Sequence, residues 1–162
     1  MTNILIIYDS NTGHTEAMAK AIVAGAKTVK GINVNLKKVG TPFPMSLLDE
    51  ADAILIGSPT IYSHVTHEVK NFLDAVANLK KRGRLKLKGK IGAAFGSSGW
   101  DGGWNLQELE NTMKEIGIKV DNPIVESVDN PSEKVLQTCT ELGKAIAQKA
   151  LGKPKETPAS KK

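Results

Sequence analysis

The strongest constraint on this chain is three short apolar runs, residues 3–8, 53–57 and 90–95, set apart by longer stretches of a different period. Each run is about the length of a strand and too short for a buried helix. An unbroken apolar run of that length suits a strand covered on both faces of a parallel sheet. Residues 15–29 repeat apolar side chains at helical spacing, with Met18, Ala19, Ile22, Val23 and Ala26 on one face and Gly31 closing the segment. Residues 64–79 do the same with Val65, Val69, Phe72, Leu73 and Val76. Two more helices are predicted over 104–116, ended by Gly117, and over 131–151, with Ser132 or Asn130 near the cap. Residues 33–39 read as a strand with one more polar face. Thr41-Pro42-Phe43-Pro44 breaks the pattern, and residues 46–50 form at most a short helix. Residues 119–128 hold the last strand, and Pro123 places it at the sheet edge. Strands alternating with helices give a three-layer α/β domain, a parallel sheet with helices on both faces. Ligands of such sheets sit beyond the carboxyl ends of the strands, where the strand order reverses. The three apolar runs end at Tyr8, Gly57 and Phe95.

Composition narrows the class. The 162 residues suit one domain, and 40% hydrophobic with 24% charged residues is a globular balance. The domain is expected over residues 1–151, with a basic, disordered tail over 152–162. No apolar run is long enough to span a bilayer, and residues 1–8 read as a strand and not a signal peptide, so the expectation is a cytoplasmic protein without a membrane role. One cysteine, Cys139, leaves no internal disulfide and reads as a buried packing residue. Three histidines and one cysteine make no plausible zinc or iron–sulfur site. The net charge is +5 and the pI about 9.3, with much of the excess in residues 80–90 and in the tail. No aromatic residue is interleaved in that run to stack bases, so it reads as a solvated connection and not a nucleic-acid site.

The loops after the three runs carry the chemistry. The first, Ser10, Asn11, Thr12, Gly13, His14 and Thr15, joins a strand to a helix and offers three hydroxyls and an amide. Backbone N–H groups at a helix start attract a phosphate, and hydroxyls add donors. A plain helix cap needs one such side chain; this loop has four. It has no lysine, which argues against a Walker-type triphosphate site, and its single glycine is not a dinucleotide fingerprint. The second loop is Ser58, Pro59, Thr60, Ile61, Tyr62 and Ser63, followed by His64. The third is Gly96, Ser97, Ser98, Gly99, Trp100, Asp101 and Gly102. Trp100 stands among glycines and polar residues, whereas a core tryptophan is usually set in an apolar pattern.

Ser10-Asn11-Thr12-Gly13-His14-Thr15 resembles the phosphate loop of the flavodoxin family. Gly57-Ser58-Pro59-Thr60 resembles the flavin-edge loop, in the form seen in flavodiiron flavodoxin domains and in the quinone-reducing branch. Phe95-Gly96-Ser97-Ser98-Gly99-Trp100 resembles the third loop of the flavodiiron domains, except that Ser98 stands where an aromatic residue is common, which implies a thinner wall there. The resemblance spans residues 1 to about 150 and is of the short-chain type. It implies a flavodoxin-like sheet of order 2-1-3-4-5 and one non-covalent FMN bound by the three loops, with His14 adding a donor to the phosphate and His64 near the ring. The implied function is electron transfer between redox proteins. From the net charge, the partner is expected to present an acidic face, as a ferredoxin-like protein or a ferredoxin-dependent enzyme would. The alternative is an NAD(P)H-dependent quinone or flavin reductase. A flavin-free regulatory module on the same fold would not need all three loops.

Overall fold

The computed structural model describes residues 1–11, 13–61, 64–98 and 104–152, with the side chains of 61, 104 and 105 excepted. In chain order the elements are β1 (Thr2–Tyr8), α1 (His14–Lys27), β2 (Ile32–Lys38), α2 (Ser46–Glu50), β3 (Ala53–Gly57), β4 (Thr60–Ile61), β5 (His64–Val65), α3 (His67–Lys81), β6 (Ile91–Ser98), α4 (Trp104–Glu115), β7 (Lys119–Val120), β8 (Val125–Val128) and α5 (Glu133–Gly152).

The main sheet runs β2-β1-β3-β6-β7, with β8 also on β6, and every pairing in it is parallel. This is the expected 2-1-3-4-5 order, with the fifth strand delivered in two pieces. Alternation along the strands divides the core in two. Ile4, Ile6, Tyr8, Leu55, Ala93 and Phe95 pack under α1 and α5; Leu5, Ile7, Ile54, Ile56 and Ala94 pack under α3 and α4. α1 and α5 approach closely through glycines. A Cβ on Gly25 would lie 1.8 Å from the Thr140 carbonyl oxygen, and one on Gly143 would lie 2.0 Å from that of Ile22.

Several boundaries differ from the sequence reading. The segment read as helix from residue 64 begins as a two-residue hairpin, Thr60–Ile61 against His64–Val65. The helix starts at His67, where the Thr66 hydroxyl accepts the Val69 N–H at 3.3 Å. β6 runs three residues past Phe95 into what reads as loop, because β8 supplies a partner from Val125 to Val128. The last strand is interrupted at residues 121–124, around Pro123, which has no N–H for the ladder. α5 begins at Glu133, with the Ser132 hydroxyl accepting the Val135 N–H at 3.2 Å. It runs to Gly152, so the expected tail falls almost wholly outside the described residues. No helix among the described residues is long and apolar enough to cross a membrane.

Candidate functional site

The first loop leaves β1 at Tyr8 and enters α1 through Gly13, whose φ of 92° is the left-handed conformation that glycine adopts without strain. Gly13 has no side chain to cap the helix, and Ser10 does it instead. Its Oγ accepts the N–H of Gly13 at 3.1 Å and that of Glu16 at 3.3 Å. With both lone-pair directions taken, the Ser10 hydroxyl proton is left to donate outward. The N–H groups of His14 and Thr15, first in the helix, have no acceptor within it. Two open N–H groups, a spare O–H and the positive end of a helix make an anion site without a cation. Asp9 closes the loop from beneath, nearly buried, with Oδ1 accepting the Ser10 N–H at 2.9 Å.

Thr15 departs from the expectation of an outward hydroxyl. Its side chain is fully buried and its Oγ1 lies 2.9 Å from Ser97 Oγ, also buried, so this pair ties α1 to β6. Thr15 offers the site its N–H, and Ser97 faces the interior. Ser58 and Gly96 also make contacts within the protein. The buried Ser58 hydroxyl donates to the Pro59 carbonyl at 2.7 Å and accepts the Thr66 N–H at 3.3 Å, folding the second loop onto the start of α3. Gly96 is a strand residue, and a Cβ there would lie 2.0 Å from the Ser58 carbonyl oxygen. Thr60 pairs with Val65 in the small hairpin and is buried. These residues shape the loops from within.

Ser98, at the carboxyl end of β6, has a different status. It is 4% exposed, and its Oγ is the one buried side-chain polar atom without a hydrogen-bond partner among the described residues. Ser97 faces α1, and Gly96 faces Leu106 of α4, so alternation puts Ser98 on the α3/α4 side of the sheet. The expectations for Thr12, Tyr62, Ser63, Gly99, Trp100, Asp101 and Gly102, and for the side chain of Ile61, lie outside the described residues.

On that α3/α4 side a cleft of about 790 Å³ lies between α3 and α4, within the size range of small-ligand sites. Asn11 reaches it from the first loop, and His64, Val65 and Thr66 line it after the second. α3 and α4 complete the wall, with Glu68, Lys70, Asp74 and Glu108 charged and Leu73 and Leu109 apolar. The sequence carries no signal for these helix positions, which look like ordinary surface and core residues. A separate groove of about 440 Å³ between β8 and α5 contains none of the loop residues. The basic run lies elsewhere. Residues 80–90 connect the end of α3 to the start of β6, at the amino ends of the strands. Leu85 and Leu87 are buried and anchor it, while Arg84, Lys86 and Lys88 point outward. Eight residues of β6 at about 3.3 Å each put this end about 25 Å from Ser98.

The fold defines a doubly wound α/β protein, with an open cleft between α3 and α4 that Asn11 of the first loop also reaches. The comparison with known proteins narrows this: residues 6–143 match the family model described as Flavodoxin. The chain belongs to the flavodoxin family. A flavodoxin from the domain Archaea superposes with a TM-score of 0.81 at 34% identity, covering 93% of this chain and 99% of that one. Rubredoxin oxygen:oxidoreductase from Desulfovibrio gigas gives 0.81 at 25% identity, over 93% of this chain and 36% of that one. In sequence, a protein of Acidithiobacillus ferrooxidans (strain ATCC 53993 / BNL-5-31) described as NAD(P)H dehydrogenase (quinone) is 36% identical over 117 residues. The match covers 60% of this chain and 58% of that relative's length.

Proposed function

We propose that the chain is an electron carrier that works with one non-covalently bound FMN. The observation that carries this reading is the first loop, where open N–H groups of α1 and the spare Ser10 proton converge beside a cleft of nucleotide size. The donor set fits a phosphate monoester: neutral hydrogen-bond donors at a helix start, with no lysine or arginine in the loop. Ser98, buried and unpartnered on the cleft side, fits a second polar contact. Bound FMN supplies reversible electron and proton chemistry, and the protein sets its orientation and access. α1 fixes the phosphate end. The second and third loops flank the ring, Trp100 being assigned to it by family resemblance. The leucines of α3 and α4 keep the cleft wall partly apolar.

A carrier is the first reading because a flavodoxin is 34% identical to this chain over nearly the whole of both, 93% of this one and 99% of that one. The second reading, an NAD(P)H-dependent quinone reductase, rests on the 36% identity to the quinone dehydrogenase. Redox proteins with an acidic face remain the proposed partners, in the cytoplasm, drawn by the net charge of +5. Residues 80–90 lie at the end remote from the loops, so for transfer such a partner has to engage the loop end, where Lys70 stands beside the acidic Glu68, Asp74 and Glu108 and local charge gives an acidic face no net attraction. The test is reconstitution with FMN under anaerobic conditions. A carrier is reduced by a low-potential donor protein and only slowly by NADH or NADPH. Rapid bleaching by NAD(P)H with turnover of a soluble quinone would establish the reductase, and failure to bind any flavin would end both readings.

A further inference from the structure

The two margins of the main sheet differ. At one, the last strand is broken into β7 and β8; at the other, β2 runs unbroken from Ile32 to Lys38 and pairs on one side only, with β1. The Thr2 N–H bonds the Gly31 carbonyl and the Val39 N–H bonds the Tyr8 carbonyl, so the odd-numbered residues of this stretch turn their backbone groups to β1. By alternation, the N–H and C=O groups of Ile32, Val34 and Leu36 and the N–H of Lys38 point outward. The Lys38 carbonyl is taken by the Thr41 N–H at 3.3 Å. Edge strands are normally blunted by proline, bulges or spread charge. β2 has no proline, its register on β1 is continuous, and none of its residues is fully buried. Ile32, Val34 and Leu36 form a half-exposed apolar row on the α1 side. The only charges, Lys37 and Lys38, stand together at the carboxyl end.

We propose that the outer margin of β2 is an interface for a second copy of this chain, added antiparallel about a twofold axis at Asn35. The charges select this occupant and this register. A parallel copy would set the lysines side by side. About Asn35, Lys37 faces Asn33 of the second copy, Lys38 faces Ile32, and Val34 faces Leu36. Val34 and Leu36 then exchange backbone bonds, and each Lys38 N–H meets an Ile32 carbonyl. An axis at Val34 would oppose Lys38 to Lys30, and like charges directly opposite are unfavourable. An axis at Leu36 would leave Ile32 without a strand partner. The strands run in opposite directions across the junction, so the two loop ends lie at opposite ends of the pair and both stay open. A seven-residue strand contact covers less than the roughly 1,600 Å² of a standard stable interface, so the association is reversible. None of this depends on the FMN reading.

Sedimentation of the full chain should show monomer at about 10 μM and a growing share of dimer toward about 1 mM. Asn35→Cys tests the register. Residues opposed in a non-hydrogen-bonded antiparallel pair have Cα atoms about 4.5 Å apart, within disulfide range. At dimer-forming concentration, mild oxidation should link this variant into a covalent dimer. Asn33→Cys and Lys37→Cys, which face one another's positions and not themselves, should stay largely unlinked. Cys139 is buried and takes no part. Val34→Pro removes an outward N–H and no bond to β1, and should move dimer formation to about tenfold higher concentration or beyond. Monomer throughout the range overturns the proposal and leaves the margin to an extended segment of another protein. A dimer unchanged by Val34→Pro, or linked as readily through Asn33→Cys or Lys37→Cys as through Asn35→Cys, overturns it as well. Should Val34→Pro fail to fold, the linking pattern decides alone.

Discussion

The hydroxyls of Thr15 and Ser97 lie 2.9 Å apart in the interior although 82 residues separate them in the chain. One stands in the first turn of α1 and the other near the end of β6, so the bond fixes the start of α1 against the strand that leads into the third loop. Removing one partner leaves the other buried and unpaired. Thr15→Val and Ser97→Ala should therefore each cost about 1–3 kcal/mol of apoprotein stability. The double variant should cost clearly less than the sum, because two apolar groups need no partner. Urea unfolding of the four proteins checks this, and additive losses would show that the two hydroxyls do not interact.

Ser10 caps α1, and the proposed function gives it a second task, donating to a phosphate. Ser10→Ala should lower apoprotein stability by about 1 kcal/mol through the lost cap. It should weaken FMN by roughly 10- to 100-fold, the range expected for one charge-assisted hydrogen bond, and riboflavin far less. Paired titrations with the two flavins give the comparison. Equal losses would remove the phosphate from this loop.

The helix contact between α1 and α5 tolerates no side chain at Gly143, where a Cβ would lie 2.0 Å from the Ile22 carbonyl oxygen and 3.0 Å from the Ala26 nitrogen. Both obstacles are backbone, so the helices must move apart. Gly143→Ala should lose about 1–3 kcal/mol despite alanine's better helix propensity. Gly152→Ala, with nothing within 4 Å, should be neutral or slightly stabilising in the same guanidinium titration.

Cys139 is fully buried under α1, and desolvation pushes its thiol up to about 11. Between its ordinary value of 9.0 and about 11, the folded chain keeps a proton that the unfolded chain has released. This contribution is intact below pH 9 and is lost as pH rises toward 11. At pH 8 the native protein should react with a thiol-specific disulfide reagent only as fast as it opens, and completely once denatured. Fast labelling of the native protein would contradict the packing.

Charge near the cleft and charge at the far end should be separable. Reduced protein can be oxidised by a small anion such as ferricyanide or by a small cation such as a cobalt hexaammine. Neutralising Arg84, Lys86 and Lys88 with glutamine should leave the ratio of the two rates within about twofold, because about 25 Å is several screening lengths at physiological salt. Glu68→Gln with Glu108→Gln, both on the cleft wall, should shift the ratio toward the anion. A large effect of the distant triple variant would show that residues 80–90 act on the site after all.

Much of the fold was legible in the sequence. Residues 53–57 form a strand with the predicted bounds, as residues 46–50 form a short helix, because their neighbours are breakers or turns on both sides. The start of α3 was harder to read. Val65 continues the helical spacing of Val69, Phe72 and Val76, and only the Thr66 cap shows that Val65 belongs to a hairpin. The end of β6 was hidden because glycine and serine suggest loop, while its strand partner, β8, lies about 30 residues later. For the site, composition could not separate residues facing a ligand from residues facing the protein. Ser10 and Ser58 look alike in sequence. One keeps a proton for the outside, and the other spends its hydroxyl on Pro59 and Thr66.

The break in the last strand bears on how copies of this chain avoid one another. An outer strand with an uninterrupted row of free N–H and C=O groups is a template onto which another chain can add. Here that margin is cut into a two-residue and a four-residue piece, separated by residues 121–124 with Pro123 among them. Lys119 and Glu126 place a charge on each piece. An incoming strand would find too few consecutive groups to bond and would have to desolvate a charge at each. The interruption that makes the fold irregular thus protects this margin of the sheet against strand addition, and leaves the unbroken β2 as the margin on which a strand could add.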